Sequence, residues 1–72
     1  MAETIETKVP GNVWKVLVKP GDKVAAGDVL FILEVMKTEV PHSASEDGTV
    51  KAVHITEGQE GVDAGILAVE IE

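Results

Sequence analysis

The chain has no cysteine, so neither disulfides nor thiolate metal ligands are available to it. It has no run of about 18 apolar residues, which excludes a helical membrane span. No window carries an apolar stripe at helical spacing, which argues against an α-helical fold. There is no Gly-rich phosphate loop and no paired nucleophile and base, so nothing points to catalysis by the chain itself. Basic residues are scarce. Six stand against thirteen acidic ones, for a net charge of −7. That balance argues against nucleic acid or an anionic membrane as partner. The N-terminal stretch Met1-Ala2-Glu3-Thr4-Ile5-Glu6 is acidic and lacks the basic and apolar parts of a signal peptide, so a soluble cytoplasmic protein is expected.

What is present reads as β structure. Seventy-two residues predict one small domain spanning 1–72. A chain of this size buries only roughly 60% of its unfolded surface, so its core must be efficient. Val, Ile and Thr are frequent, and Gly and Pro punctuate at short intervals. Pro10-Gly11 and Pro20-Gly21 mark turns by pairing a fixed φ with a permissive one. Between them Trp14, Val16 and Val18 fall on one face of a predicted strand, and Lys15, Leu17 and Lys19 on the other. Gly21-Asp22 and Gly27-Asp28 form two further turns before the apolar strand Val29 to Leu33.

The second half repeats the first. A shift of 37 residues carries Gly11, Val13, Val16, Val18 and Gly21 onto Gly48, Val50, Val53, Ile55 and Gly58. It also carries Val29, Leu30 and Ile32 onto Ile66, Leu67 and Val69. In the middle the register slips by one, because Val24 and Gly27 match Val62 and Gly65. Gly61 is then an extra residue, and Asp28 has no counterpart. The repeat predicts a quasi-two-fold all-β structure whose halves, 11–34 and 48–71, bury each other's apolar faces. A hairpin connector, residues 35–47, joins them.

That connector holds Lys37. The apolar run Val29 to Glu34 enters it and Glu39 to Ala44 leaves it, so Val35 to Thr38 must reverse the chain. A two-fold relation puts this turn at one end of the molecule and the chain termini at the other. A lysine held on a rigid sheet end is positioned more sharply than one on a loose loop, and large partners can reach it.

Around the lysine the chain reads Glu34-Val35-Met36-Lys37-Thr38. This resembles the Glu-Ala-Met-Lys-Met pattern of the biotinyl/lipoyl carrier domains. The resemblance extends to Val9-Pro10-Gly11-Asn12-Val13, Val18-Lys19-Pro20-Gly21-Asp22, Val24-Ala25-Ala26-Gly27-Asp28 and Gly48-Thr49-Val50, and covers roughly residues 5 to 71. It implies a flattened β-barrel or sandwich of two four-stranded antiparallel sheets. It also implies that Lys37 is biotinylated by a biotin protein ligase, with Glu34, Val35, Met36, Thr38 and Glu39 read by the partner. The implied role is a biotin carboxyl carrier, not an enzyme, passing carboxylate from a biotin carboxylase to a carboxyltransferase. Such a carrier is expected to be monomeric when isolated. Met1 and a length matching one domain point to a free-standing subunit, and the straight run from Trp14 to Gly21 leaves no room for the protruding thumb of some acetyl-CoA carboxylase carriers.

Two positions depart from the pattern. Val35 replaces a small residue, and Thr38 replaces the second Met. Two other readings stand beside biotin: a lipoyl carrier of a 2-oxo acid dehydrogenase or glycine-cleavage type system, and an unmodified structural or interaction module. Lipoate carriers usually show Asp-Lys-Ala, so Met36 separates biotin from lipoate. Glu34 and Glu39 flank Lys37 and nothing in the sequence pre-activates its amine, so activation is expected to come from the modifying enzyme.

The remaining polar residues read as structural. His54 aligns with Leu17 on an outward face. His42 shares parity with Val40 and Ala44, and no second ligand stands at metal spacing from it, so no metal site is expected. Trp14 is expected to pack in the core or at a sheet end. Asp22 and Asp28 are expected to form turns by bonding their own backbone.

Overall fold

The computed structural model describes residues 3–72. Among these residues there are seven strands and no helix. They are β1 (Glu3–Glu6), β2 (Asn12–Val16), β3 (Lys23–Val24), β4 (Val29–Val35), β5 (Thr38–Ser43), β6 (Gly48–Val53) and β7 (Leu67–Ile71). Two antiparallel sheets result, ordered β1-β7-β6-β3 and β2-β4-β5. The all-β, two-sheet architecture is the expected one.

The second sheet, however, has three strands rather than four. Where the fourth should lie there is a single bridge, in which Gly11 and Val62 exchange N–H···O bonds of 2.9 and 2.8 Å. Its counterpart in the first sheet is Val24 opposite Gly48, where β3 and β6 make a short ladder. The difference lies in the backbone. Gly61 takes a positive φ of 67° directly before Val62, and the first half has no residue to match it, whereas Gly58 at 89° matches Gly21 at 95°. The extra left-handed glycine turns the chain out of the pleat beside the bridge, so the ladder does not extend. Gly61 is also the residue by which the repeat slips. Turns elsewhere match across the repeat: the Lys19 N–H donates to Asp22 Oδ2 at 3.0 Å, and the Thr56 N–H donates to Gln59 Oε1 at 3.1 Å.

Bulges decide which residues reach the core. Val13 faces Leu33 and Lys15 faces Ile32, so Trp14 is an extra residue in β2. The expected alternation therefore breaks: Val13 points inward and Trp14 stands 42% exposed, against the core or sheet-end packing expected of it. In β4, Val29 faces Ser43 and Phe31 faces His42, leaving Leu30 as the extra residue. Ala68 holds the comparable place in β7. Each of these two bulges lets neighbouring side chains both point inward, Leu30 with Phe31 and Ala68 with Val69, and all four are fully buried. Leu33, Val50 and Ile71 complete the centre of the core.

Two glycines related by the repeat sit where backbones nearly touch. A Cβ on Gly11 would come within 2.6 Å of the Glu34 carbonyl oxygen and 2.9 Å of Val35 Cγ2. A Cβ on Gly48 would meet Ile71 Cγ2 at 2.5 Å and the Glu72 carbonyl oxygen at 3.0 Å. Gly11→Ala is expected to cost about 1–3 kcal/mol by overpacking. Gly48→Ala should cost less, because a side-chain methyl yields more readily than a carbonyl. Urea melts of both variants check this, and a Gly11→Ala midpoint at the parental value would contradict the close approach.

Glu3 lies opposite Ile71, so the described ends of the chain are adjacent. The Glu3 carboxylate accepts hydrogen bonds from the N–H and Oγ of Ser45, just beyond the end of β5. The opposite end of β5 begins at Thr38, beside Lys37. Six strand residues, about 20 Å at ~3.3 Å each, therefore separate the lysine turn from the chain ends.

Candidate functional site

The site is a two-residue hairpin. Leu33 faces Val40, Glu34 faces Glu39, and Val35 faces Thr38 as the last pair of the ladder. Only Met36 and Lys37 remain to turn the chain, with φ of 49° and 67°. Two central residues of positive φ define a type I′ turn, whose twist matches the flanking strands. Asn-Gly is the usual occupant. A residue with a Cβ costs roughly 1–2 kcal/mol in this region. The ladder between β4 and β5, backed by β2 on the other edge of β4, holds both residues there.

This geometry lifts both turn side chains clear of the sheet. Lys37 and Thr38 are exposed, and Met36 is 94% exposed. Among the described residues no ion pair or hydrogen bond engages the Lys37 side chain; the side-chain contact between a basic and an acidic residue that is described joins His54 Nε2 to Glu70 Oε2 at 2.7 Å. Glu34 and Glu39 stand directly opposite each other, an arrangement of like charges that weakens the ladder slightly. Val35 is half-buried against Gly11.

One support was not legible in the sequence. Asn12 lies opposite Glu34, and its Oδ1 accepts a 3.0 Å hydrogen bond from the Gly61 N–H. The chain replacing the missing fourth strand is thereby tied to the base of the hairpin. The only trace of this was Gly61 appearing as the extra residue of the repeat.

The other candidates fall outside the hairpin. Asp22 and Asp28 cap their own turns, Asp28 Oδ2 accepting from the Ala25 N–H at 2.8 Å. His54 is exposed, as its outward parity predicted. A shallow groove of about 500 Å³ beside Leu17, Val18 and Val29 includes no hairpin residue.

His42 is almost fully buried, with its ring stacked on Phe31 at a centroid distance of 4.5 Å. Its Nε2 accepts from the Lys8 N–H at 3.0 Å, and its Nδ1 donates to the Val40 carbonyl at 3.2 Å. Both nitrogens are thus used by the neutral ring. Burial pushes its pKa down; the Val40 carbonyl opposes that shift, and the nearby Lys8 charge adds to it. An unfolded His titrates near ~6.5. Below that pH the unfolded chain takes up a proton that the folded chain refuses, so this stability is complete above about 6.5 and declines as pH falls. Urea midpoints measured from pH 7.5 to 5 should show a decline that His42→Gln lacks. Equal slopes would mean that His42 is protonated without penalty.

A lysine exposed at a rigid sheet end can be acylated once a partner removes its proton. The biotin/lipoyl family model, described as biotin-requiring enzyme, matches residues 1–71. The chain belongs to this biotin/lipoyl family. A biotin/lipoyl attachment protein of Bacillus subtilis is 41% identical over 68 residues, covering 94% of this chain and 92% of that protein. Pyruvate carboxylase of the same organism is 46% identical over 68 residues, yet the chain spans only 6% of its length. The crystal structure of the Kluyveromyces lactis urea carboxylase superposes with a TM-score of 0.89 at 36% identity, covering 100% of this chain and 6% of that one. The family's group fits the residues present, because the Lys37 amine offers an attachment point without breaking any contact of the fold.

Proposed function

We propose that this biotin/lipoyl domain is a biotin carboxyl carrier and that Lys37 is its attachment residue. The observation that carries the reading is the type I′ turn, which holds Lys37 exposed and unpaired at a rigid sheet end. In attachment, the Lys37 ammonium loses a proton and Nζ attacks the acyl carbon of a biotinyl-adenylate. An amide forms, the acyl–phosphate bond breaks, and AMP leaves. Among the described residues no base engages Lys37, so a biotin protein ligase must supply the deprotonation. Bound biotin supplies a ureido nitrogen that takes up and releases carboxylate.

The chain's own contribution is positional. The ladder fixes the lysine backbone, and Glu34, Val35, Met36, Thr38 and Glu39 form the surface a partner meets. Met36 in place of the Asp of lipoate carriers supports biotin. The partners that follow are the ligase, a biotin carboxylase and a carboxyltransferase. The carrier acts as a monomer, supported by Pro41, which blunts the edge strand β5 against pairing with a second copy.

The test is incubation with a biotin protein ligase, ATP and biotin, followed by intact-mass measurement and peptide mapping. One biotin per chain is expected, on Lys37, with Lys8, Lys15, Lys19, Lys23 and Lys51 unmodified. Biotin chiefly on another lysine, or none at all, overturns the reading.

A further inference from the structure

Met36 is the outlier among exposed apolar side chains. It is 94% exposed, whereas Leu17, Trp14 and Ile66 reach 51%, 42% and 40%. It therefore contributes almost nothing to the core. Its left-handed backbone adds strain besides, and Asn or Gly would serve the turn better. The turn thus holds an apolar thioether in water, one residue from the reacting amine. Any partner that closes on Lys37 must cover it.

The same exposure makes Met36 chemically vulnerable. The chain has no cysteine, so no thiol competes for an oxidant, and Met36 is the one methionine among the described residues. Susceptibility of methionine follows access to solvent. Resting on the carrier reading above, we propose that Met36 is a redox-sensitive modification site whose oxidation slows biotin attachment while leaving the fold intact. The oxidant is a peroxide. The sulfur lone pair attacks one peroxide oxygen, an S–O bond forms as the O–O bond breaks, and water leaves. Sulfur is oxidised by two electrons and the peroxide is reduced by two. The product is a chiral, strongly polar sulfoxide. A partner that covers an apolar thioether at this position must then desolvate the sulfoxide oxygen without a donor for it. Thiol-dependent sulfoxide reduction restores the thioether.

The experiment treats the full chain with dilute hydrogen peroxide and confirms by peptide mapping that Met36 has gained one oxygen. Peptide mapping also separates it from Met1. Initial rates of biotin incorporation by a biotin protein ligase are then compared. Oxidised chain should be labelled about tenfold more slowly or worse, the loss appearing in kcat/KM, as expected when an unpaired polar group must be covered. Met36→Leu, whatever its own starting rate, should show the same rate before and after peroxide treatment. A methionine sulfoxide reductase should restore the parental rate, and the urea midpoint should not move on oxidation. Equal rates for oxidised and untreated chain overturn this inference alone. A peroxide-induced loss that persists in Met36→Leu assigns the effect to another residue and also overturns it. An untreated chain that takes no biotin overturns the carrier reading, and this inference with it.

Discussion

Phe31→Ala is expected to remove about 3–5 kcal/mol of stability, the range for emptying a buried aromatic site. Chains of this size hold little more than that: at ~0.05–0.15 kcal/mol per residue the whole domain is worth on the order of 4–11 kcal/mol. Phe31 is fully buried in β4, stacks on His42 and sits beside the equally buried Leu30. Removing the ring leaves a void in the middle of the core and also strips His42 of the face that shields it. The surrounding strands are held by ladders on both sides of β4, so the site cannot collapse to fill the space. Ile32, the next residue, is only half-buried and is the proper control. Ile32→Ala should cost far less. Urea melts of the two variants, read by far-UV circular dichroism, decide the matter. Similar midpoints for the two would mean that the bulge at Leu30 does not turn Phe31 inward.

That bulge shows where sequence reasoning reaches its limit. The alternation of apolar and polar residues assumes a regular pleat, and one extra residue reverses the parity of everything beyond it. A regular pleat puts Trp14, Val16 and Val18 on one face. The extra residue at Trp14 instead sends Val13 inward and leaves the indole outside. Nothing in the composition of β2 marks the bulge. Reversals were easier to read, because they depend on local chemistry. The turns at Asp22 and Asp28 form through bonds between residues three apart, the backbone N–H groups of Lys19 and Ala25 donating to the Asp22 and Asp28 carboxylates. The hairpin at Lys37 was legible from two strand patterns separated by only a few residues. Its left-handed geometry was not, since neither Met nor Lys prefers positive φ and only the imposed ladder explains it. The tie between Asn12 and Gly61 spans 49 residues and has no local signature. The missing fourth strand was half visible, as a slip in the repeat at Gly61 whose structural cost the sequence did not state.

Lys37→Arg should abolish biotin attachment outright while moving stability by no more than about 0.5 kcal/mol, as for other exposed surface positions. Arginine keeps the positive charge, the length and the hydrogen-bond donors of the side chain. It also carries the same Cβ, so the strain of a positive φ at this turn is unchanged. What it lacks is an amine that can be deprotonated, because the guanidinium remains protonated at every working pH and is no acyl acceptor here. The substitution therefore separates presentation from reaction: the ligase meets the same hairpin, the same Met36 and the same opposed Glu34 and Glu39, but finds no nucleophile. Streptavidin blotting and intact mass after ligase treatment should show no biotin at any lysine, even after prolonged incubation. Urea midpoints should match those of the parent, because the Lys37 side chain makes no ion pair or hydrogen bond among the described residues. Biotin appearing on another residue of Lys37→Arg would show that the turn does not select the acceptor. A variant that unfolds would show that Lys37 supports the hairpin it is thought merely to occupy.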